Sequence, residues 1–328
     1  MRQFGYERPA HVADAVALGA RPGTRYLGGG TNLVDLMKLG VEAPGHLVDV
    51  TAMPFEFVEH APDGGIRIGA TVRNSDVAAN LMVRRRYPLL AQAVLAGASG
   101  QLRNMATVGG NLLQRTRCPY YQDVTKPCNK RSPGSGCPAR EGDHYNLAIL
   151  GASEHCIATN PSDMAVALSA LDAVVHVQEP SGAREIPMAE FYRVPGDEPQ
   201  RETTLAPGAL ITAVDVPALP WAVNSRYRKA RERASYAFAI GSVAAALDVV
   251  DGTVRDVRLA LGAVAPVPWR ARLAEEALRG QQATEASFRV AADAELAAAR
   301  PLRDNGYKVP LIRNLIVRLL AELTEAGV

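Results

Sequence analysis

Hydrophobic and polar positions along this 328-residue chain follow two different periods, which predicts a mixture of helices and strands. In the first two thirds, apolar residues at helical spacing predict short helices, and brief apolar runs beside glycine turns predict short strands. Asn74 or Ser75 is expected to cap one of these helices. The predicted helices are 11–18, 32–39, 74–81, 88–98 and 162–171, and the predicted strands are 25–27, 46–50, 66–68, 173–178 and 210–216.

The pattern changes from about Trp221 onwards. Two strand-like runs, 238–249 and 254–264, meet at Asp251-Gly252, a dipeptide that favours a tight hairpin. Three stretches with helical periodicity follow, at 271–279, 285–298 and 308–326. The last carries an apolar stripe, which we interpret as core rather than as a partner-binding face.

Residues 115–144 show no sustained period and are rich in proline, glycine and serine. A loop of this length inside a compact domain is unusual unless it is functional. The four cysteines of the chain lie in or beside it, separated by nine, eight and eighteen residues. Such gaps are wider than those of zinc knuckles and favour a [4Fe–4S] cluster wrapped by a long loop. The candidate ligands are Cys118, Cys128, Cys137 and Cys156.

The charge of this segment favours the same interpretation. Between residues 115 and 140 there are six basic side chains and one acidic side chain, and cations stabilise a negatively charged thiolate cluster. Zinc, two disulfides or four unrelated thiols are the alternatives. Disulfides belong to oxidising compartments, and the N-terminus shows no secretory signal.

Whole-chain composition excludes some function classes. The balance of 36 basic to 34 acidic side chains gives no reason to expect binding to nucleic acid or to a membrane surface. No apolar run reaches the roughly 20 residues that span a bilayer. The default expectation is a cytoplasmic protein with reduced thiols.

Two glycine turns are candidates for binding a diphosphate. Residues 28–30 are three glycines that follow a predicted strand and precede a helix, an arrangement that exposes successive N–H groups to an anion. This turn matches neither the Rossmann fingerprint nor a P-loop. Residues 109–110 add a second glycine pair beside hydroxyl and amide donors. Asp163, in the helix start 160–163, is expected to act as a cap when it is considered alone.

Together these motifs resemble a known family. Gly-Gly-Gly-Thr-Asn-Leu at 28–33, Arg-Asn-Met-Ala-Thr-Val-Gly-Gly-Asn at 103–111, Asn-Pro-Ser-Asp at 160–163 and Lys-Ala-Arg-Glu-Arg-Ala-Ser-Tyr-Ala-Phe-Ala at 229–239 occur in the order found in the FAD-binding medium subunits of the molybdenum hydroxylases. That family includes xanthine dehydrogenase and carbon monoxide dehydrogenase. The cysteine segment is similar to the insertion of bacterial aldehyde oxidoreductase flavin subunits, which holds a [4Fe–4S] cluster.

The resemblance implies a fold and a division into domains. The fold is α+β. Residues 1–216 would form an FAD-binding domain of the vanillyl-alcohol-oxidase (PCMH) type, with two α+β lobes and a [4Fe–4S]-binding insertion at about 115–158. Residues 217–328 would form the C-terminal domain of the molybdenum hydroxylase flavoproteins, a small antiparallel sheet with helices.

The resemblance also implies FAD-contacting residues. Asp163 would meet ribityl or ribose hydroxyls, Ile211 would lie beside the flavin ring, Lys229 near the cofactor and Tyr236 in the ring's environment. Gly97 stands where xanthine dehydrogenase has an aromatic residue against FAD. The residues that would cradle the pyrophosphate are Tyr26, Leu27, Gly28, Gly29, Gly30, Thr31, Asn32, Leu33, Val34, Thr107, Gly109, Gly110 and Asn111.

The implied function is electron transfer through FAD, with no catalytic side chain in this subunit. A large molybdopterin-binding subunit and a small subunit with two [2Fe–2S] centres would oxidise an aldehyde and deliver electrons, which pass to an external acceptor. The [4Fe–4S] cluster would act as a relay or, as we favour, mainly as a structural staple. The cytoplasm stays the default location, and the alternative is the periplasm, to which a partner with a twin-arginine signal would carry the complex.

Alternatives to this function come from three classes. The first is the flavin subunit of another molybdenum hydroxylase whose substrate is not an aldehyde. Examples are a purine or heteroaromatic dehydrogenase and a 4-hydroxybenzoyl-CoA reductase. A self-contained PCMH-type flavoenzyme and a zinc-stapled interaction subunit are the other two.

Overall fold

The computed structural model describes residues 1–326. Its strands are β1 (Gly5–Glu7), β2 (Thr24–Leu27), β3 (His46–Asp49), β4 (Val58–His60), β5 (Ile66–Gly69), β6 (Val174–Glu179), β7 (Gly182–Pro187), β8 (Leu210–Val216), β9 (Ser225–Ala230), β10 (Gly241–Val250), β11 (Thr253–Gly262) and β12 (Trp269–Arg270). Its helices are α1 (Val12–Gly19), α2 (Leu33–Lys38), α3 (Asn74–Ala79), α4 (Leu81–Arg86), α5 (Pro88–Ala96), α6 (Gly100–Arg103), α7 (Val108–Leu112), α8 (Pro119–Gln122), α9 (Asp163–Ala170), α10 (Met188–Phe191), α11 (Arg272–Leu278), α12 (Glu285–Leu296) and α13 (Lys308–Ala326).

Two sheets organise the N-terminal part of the chain. The first has the order β1-β3-β2 with parallel pairing, and its strand β2 ends directly before the first glycine turn. The second has the order β4-β5-β8-β6-β7 with antiparallel pairing throughout. Each sheet buries apolar side chains against its own helices, which gives the two α+β lobes that were expected.

The C-terminal part is an antiparallel sheet of order β12-β11-β10-β9, covered on one face by α11, α12 and α13. The hairpin between β10 and β11 turns at Asp251 and Gly252, whose φ angles of 50° and 73° suit a tight two-residue turn. Ile312 and Ile316 of α13 are fully buried in this core. The prediction of a hairpin at this dipeptide and of a core-facing α13 is therefore confirmed.

The other face of the C-terminal sheet packs against α5 and α9 of the N-terminal part. Ala244, Ala246 and Ala260 of this sheet are fully buried in the same apolar cluster as those helices. Because both faces are covered, β10 has a continuous run of small apolar residues rather than an alternating pattern. This packing brings β9 and β10 beside the start of α9.

Several local expectations were wrong for identifiable reasons. The helix expected at 74–81 is two helices, because Asn80 adopts an extended conformation and its Oδ1 accepts hydrogen bonds from the N–H groups that start α4. Neither Asn74 nor Ser75 caps α3, which follows Arg73 without a side-chain cap. No strand was predicted at the position of β9, because its sequence is mostly polar. None of the helices within residues 1–326 is long and apolar enough to cross a bilayer.

Candidate functional site

The two glycine turns face each other in close contact. A Cβ atom on Gly29 would overlap the carbonyl oxygen of Met105, and a Cβ atom on Gly28 would lie 2.8 Å from Thr107 Oγ1. Gly30 has a φ of +72°, a conformation that side chains disfavour. The first turn therefore needs glycine for three reasons: the Thr107 side chain lies against Gly28, the Met105 backbone lies against Gly29, and Gly30 has a positive φ.

The two turns differ in how many N–H groups they leave free. The Gly109 N–H donates to Ala70 O at 2.9 Å. Thr107 Oγ1 caps α7 by accepting from Gly110 N–H at 3.2 Å. Among the described residues, the N–H groups of Gly29 and Gly30 donate no hydrogen bond. The first turn therefore offers free donors, whereas the second turn mainly supplies the wall against it.

Two cavities meet at these turns and form one elongated cleft. The larger has a volume of about 770 Å³ and the smaller about 430 Å³. Thr31, Asn32 and Gly110 line both of them, so the glycine turns form the waist of the cleft. Each cavity alone has a volume within the usual range of small-molecule sites, so the cleft as a whole has room for a ligand with two separate ring systems.

A buried ion pair forms part of the wall of the larger cavity. Lys229 Nζ lies 2.8 Å from Asp163 Oδ2, and both side chains are almost completely buried. Tyr227 donates its hydroxyl proton to Asp163 Oδ1 at 2.5 Å. Burial, and then the Asp163 carboxylate, hold the pKa of Tyr227 well above its usual value. The network fixes the Asp163 carboxylate at the first turn of α9.

Asp163 does not cap α9, so the expectation from its position alone was wrong. Ser162 is the cap, and its Oγ accepts a hydrogen bond from Ala165 N–H at 2.9 Å. Ser162 also donates to Asn111 Oδ1 at 2.6 Å, which connects the start of α9 to the second glycine turn. The carboxylate of Asp163 is thereby left for Tyr227 and Lys229.

The structure distributes the other expected residues over both cavities. Ile211 is buried beside Gly109 in the smaller cavity, whereas Tyr236 and Gly97 line the larger one. Tyr26 lines the smaller cavity and donates its hydroxyl to Gly208 O at 2.7 Å, and burial raises its pKa to about 12. Leu33 lines the smaller cavity, and Asn111 lines the larger. Leu27 and Val34 pack behind the first turn against Gly30.

Five buried polar atoms of cleft-lining residues have no hydrogen-bond partner within the described part of the chain. They are Asn32 Nδ2, Thr71 Oγ1, Asn74 Oδ1, Ser242 Oγ and Arg115 Nε, of which Arg115 Nε lies within ion-pair distance of Glu202. A buried polar group without a partner costs about 1–3 kcal/mol, so such groups indicate a missing partner. A cofactor with many donors and acceptors would satisfy them. The sequence reasoning missed Thr71 and Asn74, because no local motif distinguishes them from ordinary turn and helix residues.

The four cysteines line a single separate cavity. Cys118, Cys128, Cys137 and Cys156 all contribute to its wall, and their thiols are free. Burial raises the pKa of Cys118 to about 12 and raises those of Cys137 and Cys156. Within residues 1–326, no group of three or more His, Cys, Asp or Glu side chains is arranged to hold a metal ion.

The backbone near three of these sulfur atoms acts against the effect of burial on their pKa values. The backbone at Tyr120 and Tyr121 lowers the pKa of Cys118, that at Ala139 and Ile157 lowers the pKa of Cys137, and that at Ala158 lowers the pKa of Cys156. Backbone N–H groups close to a sulfur atom favour its thiolate form.

Buried charges attach the cysteine segment to the rest of the protein. Lys130 Nζ lies 2.9 Å from Glu202 Oε1 and donates to Pro199 O at 2.8 Å. Arg115 pairs with Glu202 and, at 2.6 Å, with Glu42. The Lys130 charge also lowers the pKa of Cys156.

At the other end of the segment, the C-terminal part supplies the anchor. Lys308 Nζ is fully buried and donates to Asn146 O at 2.9 Å and to Ala263 O at 2.6 Å.

Cys118 lines both the larger cavity of the cleft and the cysteine cavity. The two sites are therefore neighbours that share one wall.

Comparison with known proteins decides the family. A model of the FAD binding domain in molybdopterin dehydrogenase matches residues 2–219, and a model of the CO dehydrogenase flavoprotein C-terminal domain matches residues 225–323. The chain belongs to the FAD-binding subunits of the molybdenum hydroxylases. As such, it is a subunit of an oxidoreductase, and the resemblance inferred from its motifs is confirmed.

Individual members of this molybdenum hydroxylase family cover nearly the whole chain. The aldehyde oxidoreductase FAD-binding subunit PaoB of Escherichia coli (strain K12) is 50% identical over 324 residues, which are 98% of each chain. The glyceraldehyde dehydrogenase medium chain of Sulfolobus acidocaldarius is 27% identical and covers 85% of this chain and 82% of its own. A solved structure of carbon monoxide dehydrogenase from Hydrogenophaga pseudoflava superposes with a TM-score of 0.76 at 26% identity, covering 98% of this chain and 96% of that one.

Proposed function

We propose that this protein is the FAD- and [4Fe–4S]-binding subunit of a heterotrimeric, molybdenum-dependent aldehyde oxidoreductase. It receives electrons from a large molybdopterin-binding subunit through a small subunit with two [2Fe–2S] centres, and passes them to an external acceptor. The observation that carries the proposal is the 50% identity, over the full length, to an aldehyde oxidoreductase FAD-binding subunit. In this proposal the FAD-binding domain ends at residue 216, at the end of β8, and the C-terminal domain follows. The metal-binding insertion lies at about 115–158.

The dimensions and chemistry of the cleft support FAD as its ligand. The free N–H groups of the first glycine turn lie at the waist, where they would bind the pyrophosphate. Each cavity would then hold one ring system. When bound, FAD exchanges electrons in one- or two-electron steps, and the protein's contribution is to orient it and to set its surroundings.

We assign the flavin ring to the larger cavity because that cavity is bordered by the exposed Tyr236, where an acceptor has access. The Asp163 carboxylate and the Lys229 ammonium would lie beside the ring or its ribityl chain. Ile211 lines the smaller cavity and in this arrangement would contact the adenosine end. The family resemblance predicts a contact with the flavin ring instead, and a structure with bound FAD would decide between the two. The unpartnered Asn74 lines the flavin side, and the unpartnered Thr71 lines the adenosine side.

The donor set of the cysteine cavity supports the proposal of a four-thiolate cluster. Four free thiols line the cavity, the nearby backbone lowers the pKa of three of them, and the Lys130 charge lowers the pKa of Cys156. When bound, a [4Fe–4S] cluster exchanges single electrons. The segment has little regular structure of its own, so ligation would contribute much of its order. We therefore assign the cysteines mainly to ordering this segment beside the flavin.

A visible spectrum combined with flavin, iron and zinc analysis of anaerobically purified protein tests both cofactors. We expect one FAD and about four irons and four sulfides per chain. Cys128→Ser should deplete the iron, whereas Val124→Ala, at an exposed position of the same segment, should leave it unchanged. Zinc in place of iron, or iron that survives Cys128→Ser, would remove the cluster from the proposal.

Partner dependence tests the assignment to a larger complex. The chain purified alone should not oxidise aldehydes, because the proposal places the molybdenum site in another subunit. Co-expression with the large and small subunits should give a complex that oxidises aldehydes with reduction of the bound flavin. Aldehyde oxidation by the isolated, molybdenum-free chain would contradict this role.

A further inference from the structure

The connection between β9 and β10, residues 231–239, borders the larger cavity of the cleft. We call this segment the flap. It has no helix or strand, and Tyr236 and Phe238 line the cavity although each is about half exposed, at 56% and 51%. Tyr236 adopts a φ of +51°, which is unfavourable for a residue with a side chain. The flap is therefore a partly exposed segment whose position at the cleft needs contacts to hold it.

Some of the flap's contacts are internal to it. Arg233 Nε donates to Tyr236 O at 2.9 Å, and the Arg233 guanidinium lies over the Tyr236 ring at 5.6 Å from its centroid. These contacts stabilise the bend at Tyr236. They do not attach it to the rest of the protein, so the flap's position over the cavity depends on other side chains.

Arg117 makes one of the contacts between the flap and the body of the protein. Its guanidinium lies 4.9 Å from the centroid of the Phe238 ring, within range of a cation–π interaction. The same guanidinium donates to Arg115 O at 2.7 Å, which fixes it to the start of the cysteine segment. Among the ion pairs of the described residues, none involves Arg117. Its planar face is thus available to Phe238.

Arg117 also lies at the boundary between the two sites. It directly precedes Cys118 in sequence, and Cys118 lines both the cysteine cavity and the larger cavity of the cleft. A displacement of the backbone at residue 118 therefore moves the guanidinium on which Phe238 rests. The cysteine cavity is thus connected to the flap through the peptide bond between Arg117 and Cys118 and the contact of Arg117 with the Phe238 ring.

We propose that Arg117 is a positioning residue that holds the flap over the flavin side of the cleft and transmits the order of the cysteine segment to it. The proposal rests on the proposed function, since it takes FAD as the ligand of the cleft and a metal centre as the ligand of the cysteines. Arg117 acts through Phe238 and not on the reacting atoms. Ligation at Cys118 would fix Arg117, Arg117 would fix Phe238, and the closed flap would slow the release of FAD.

The rate of FAD release, measured by the rise in flavin fluorescence after dilution, tests this coupling in the full chain. We expect Arg117→Gln and Phe238→Leu each to speed release about two- to fivefold, as the loss of one exposed cation–π contact predicts. The double variant should release FAD no faster than either single variant, because both remove the same contact. Arg289→Gln, an exposed arginine of α12, is the matched control and should release FAD at the wild-type rate.

Four further measurements separate positioning from a general loss of stability. Phe238→Tyr keeps the aromatic face and should restore slow release, and iodide should quench the bound flavin more strongly in Phe238→Leu than in wild type. Removing the metal with a chelator should speed release in the wild type but much less in Arg117→Gln. Iron content should stay at the wild-type level in both single variants.

The outcomes distinguish the inference from the function on which it rests. Additive effects in the double variant, no rescue by Phe238→Tyr, or an equal response to the chelator in Arg117→Gln would overturn the role of Arg117. A wild-type chain that purifies without FAD would overturn the proposed function itself. A chain with FAD but no metal would remove the link to the cysteines and with it the proposed transmission.

Discussion

The flavin cleft and the cysteine segment lie side by side but are built in different ways. The cleft is formed by the ends of strands and helices, and its central turns touch through backbone atoms at Gly29 and Met105. The cysteine segment has one short helix and one 3₁₀ turn, and it is attached by the charges of Arg115 and Lys130 and by the buried amine of Lys308. The first site is shaped by the fold and the second by side chains that reach across to it.

This difference indicates what each site requires from its ligand. The walls of the cleft are formed by regular elements of the fold, and a few buried polar atoms in them, such as Asn32 Nδ2 and Asn74 Oδ1, have no partner in the described part of the protein. The cysteine cavity contains buried thiols whose pKa values are raised, so it lacks the positive charge that would make them thiolates. Cofactor loss should therefore leave the cleft's framework in place, whereas metal loss should disturb the cysteine segment.

The strongest test of a cleft shaped by backbone contact is Gly29→Ala. The added Cβ atom would overlap the Met105 carbonyl, which belongs to the opposite turn and has no freedom to rotate away. We expect the variant to purify without FAD. Gly100→Ala is the matched control, because a Cβ atom there meets nothing within 4 Å and alanine favours the helix. Full flavin occupancy in Gly29→Ala would show that the turns do not meet as described.

Lys229→Met tests the buried pair in the wall of the cleft. Removing the ammonium leaves the buried Asp163 carboxylate with only the Tyr227 hydroxyl, and breaking a buried pair in this way typically costs about 3–5 kcal/mol. Urea unfolding of the flavin-free chain would measure the loss. Adding Asp163→Asn should recover part of it, since no unpaired charge then remains. If Lys229→Met combined with Asp163→Asn is less stable than Lys229→Met alone, the two side chains do not stabilise the protein as a coupled pair.

The sequence predicted most of what local rules determine. The hairpin at Asp251 follows from its dipeptide, and the apolar stripe of α13 follows from helical spacing. The gathering of the four cysteines around one cavity was indicated by their confinement to one segment of the sequence. The family motifs placed the glycine turns, but not the fact that the N–H groups of the second turn are already used at Gly109 and Gly110.

Other features had no local signal in the sequence because they arise from residues far apart along the chain. The family resemblance placed Asp163 and Lys229 near the cofactor, but not in contact with each other. The Asp163–Tyr227–Lys229 network joins the start of α9 to β9, about 65 positions later, and depends on how the two parts of the protein pack. Asn74 and Thr71 become cleft residues only because the second glycine turn lies against them. Lys308 carries an ordinary helix-forming side chain whose burial no local pattern predicts.

Lys308 allows the anchoring of the cysteine segment to be tested by pH. Burial lowers its pKa from 10.5 to about 7, so between these values the folded chain binds fewer protons than the unfolded chain. Stability contributed by this group therefore rises with pH from about 7 to about 10.5 and is lowest below 7. We expect the unfolding free energy of the wild type, relative to Lys308→Met, to rise by about 1 kcal/mol per pH unit in this window. Comparing the two chains cancels the cysteine and tyrosine titrations common to both. A difference independent of pH would show that Lys308 keeps its charge when folded.

The smallest expected effect belongs to Asn74→Ala. The sign of its effect on stability without FAD shows whether Asn74 serves the packing of the protein or the binding of the cofactor. In the flavin-free chain Asn74 Oδ1 is buried without a partner, so its removal should leave stability unchanged or raise it slightly. In the loaded chain the same atom would accept a hydrogen bond from the cofactor, and its loss should weaken FAD binding by about 0.5–1.5 kcal/mol. Ser75→Ala, at the next position, is the control and should change neither quantity. Unfolding curves without FAD and titrations with FAD give the two numbers separately. A variant that is destabilised without FAD but binds it normally would make Asn74 a structural residue, and the cleft would then owe its unpaired atoms to packing rather than to a ligand.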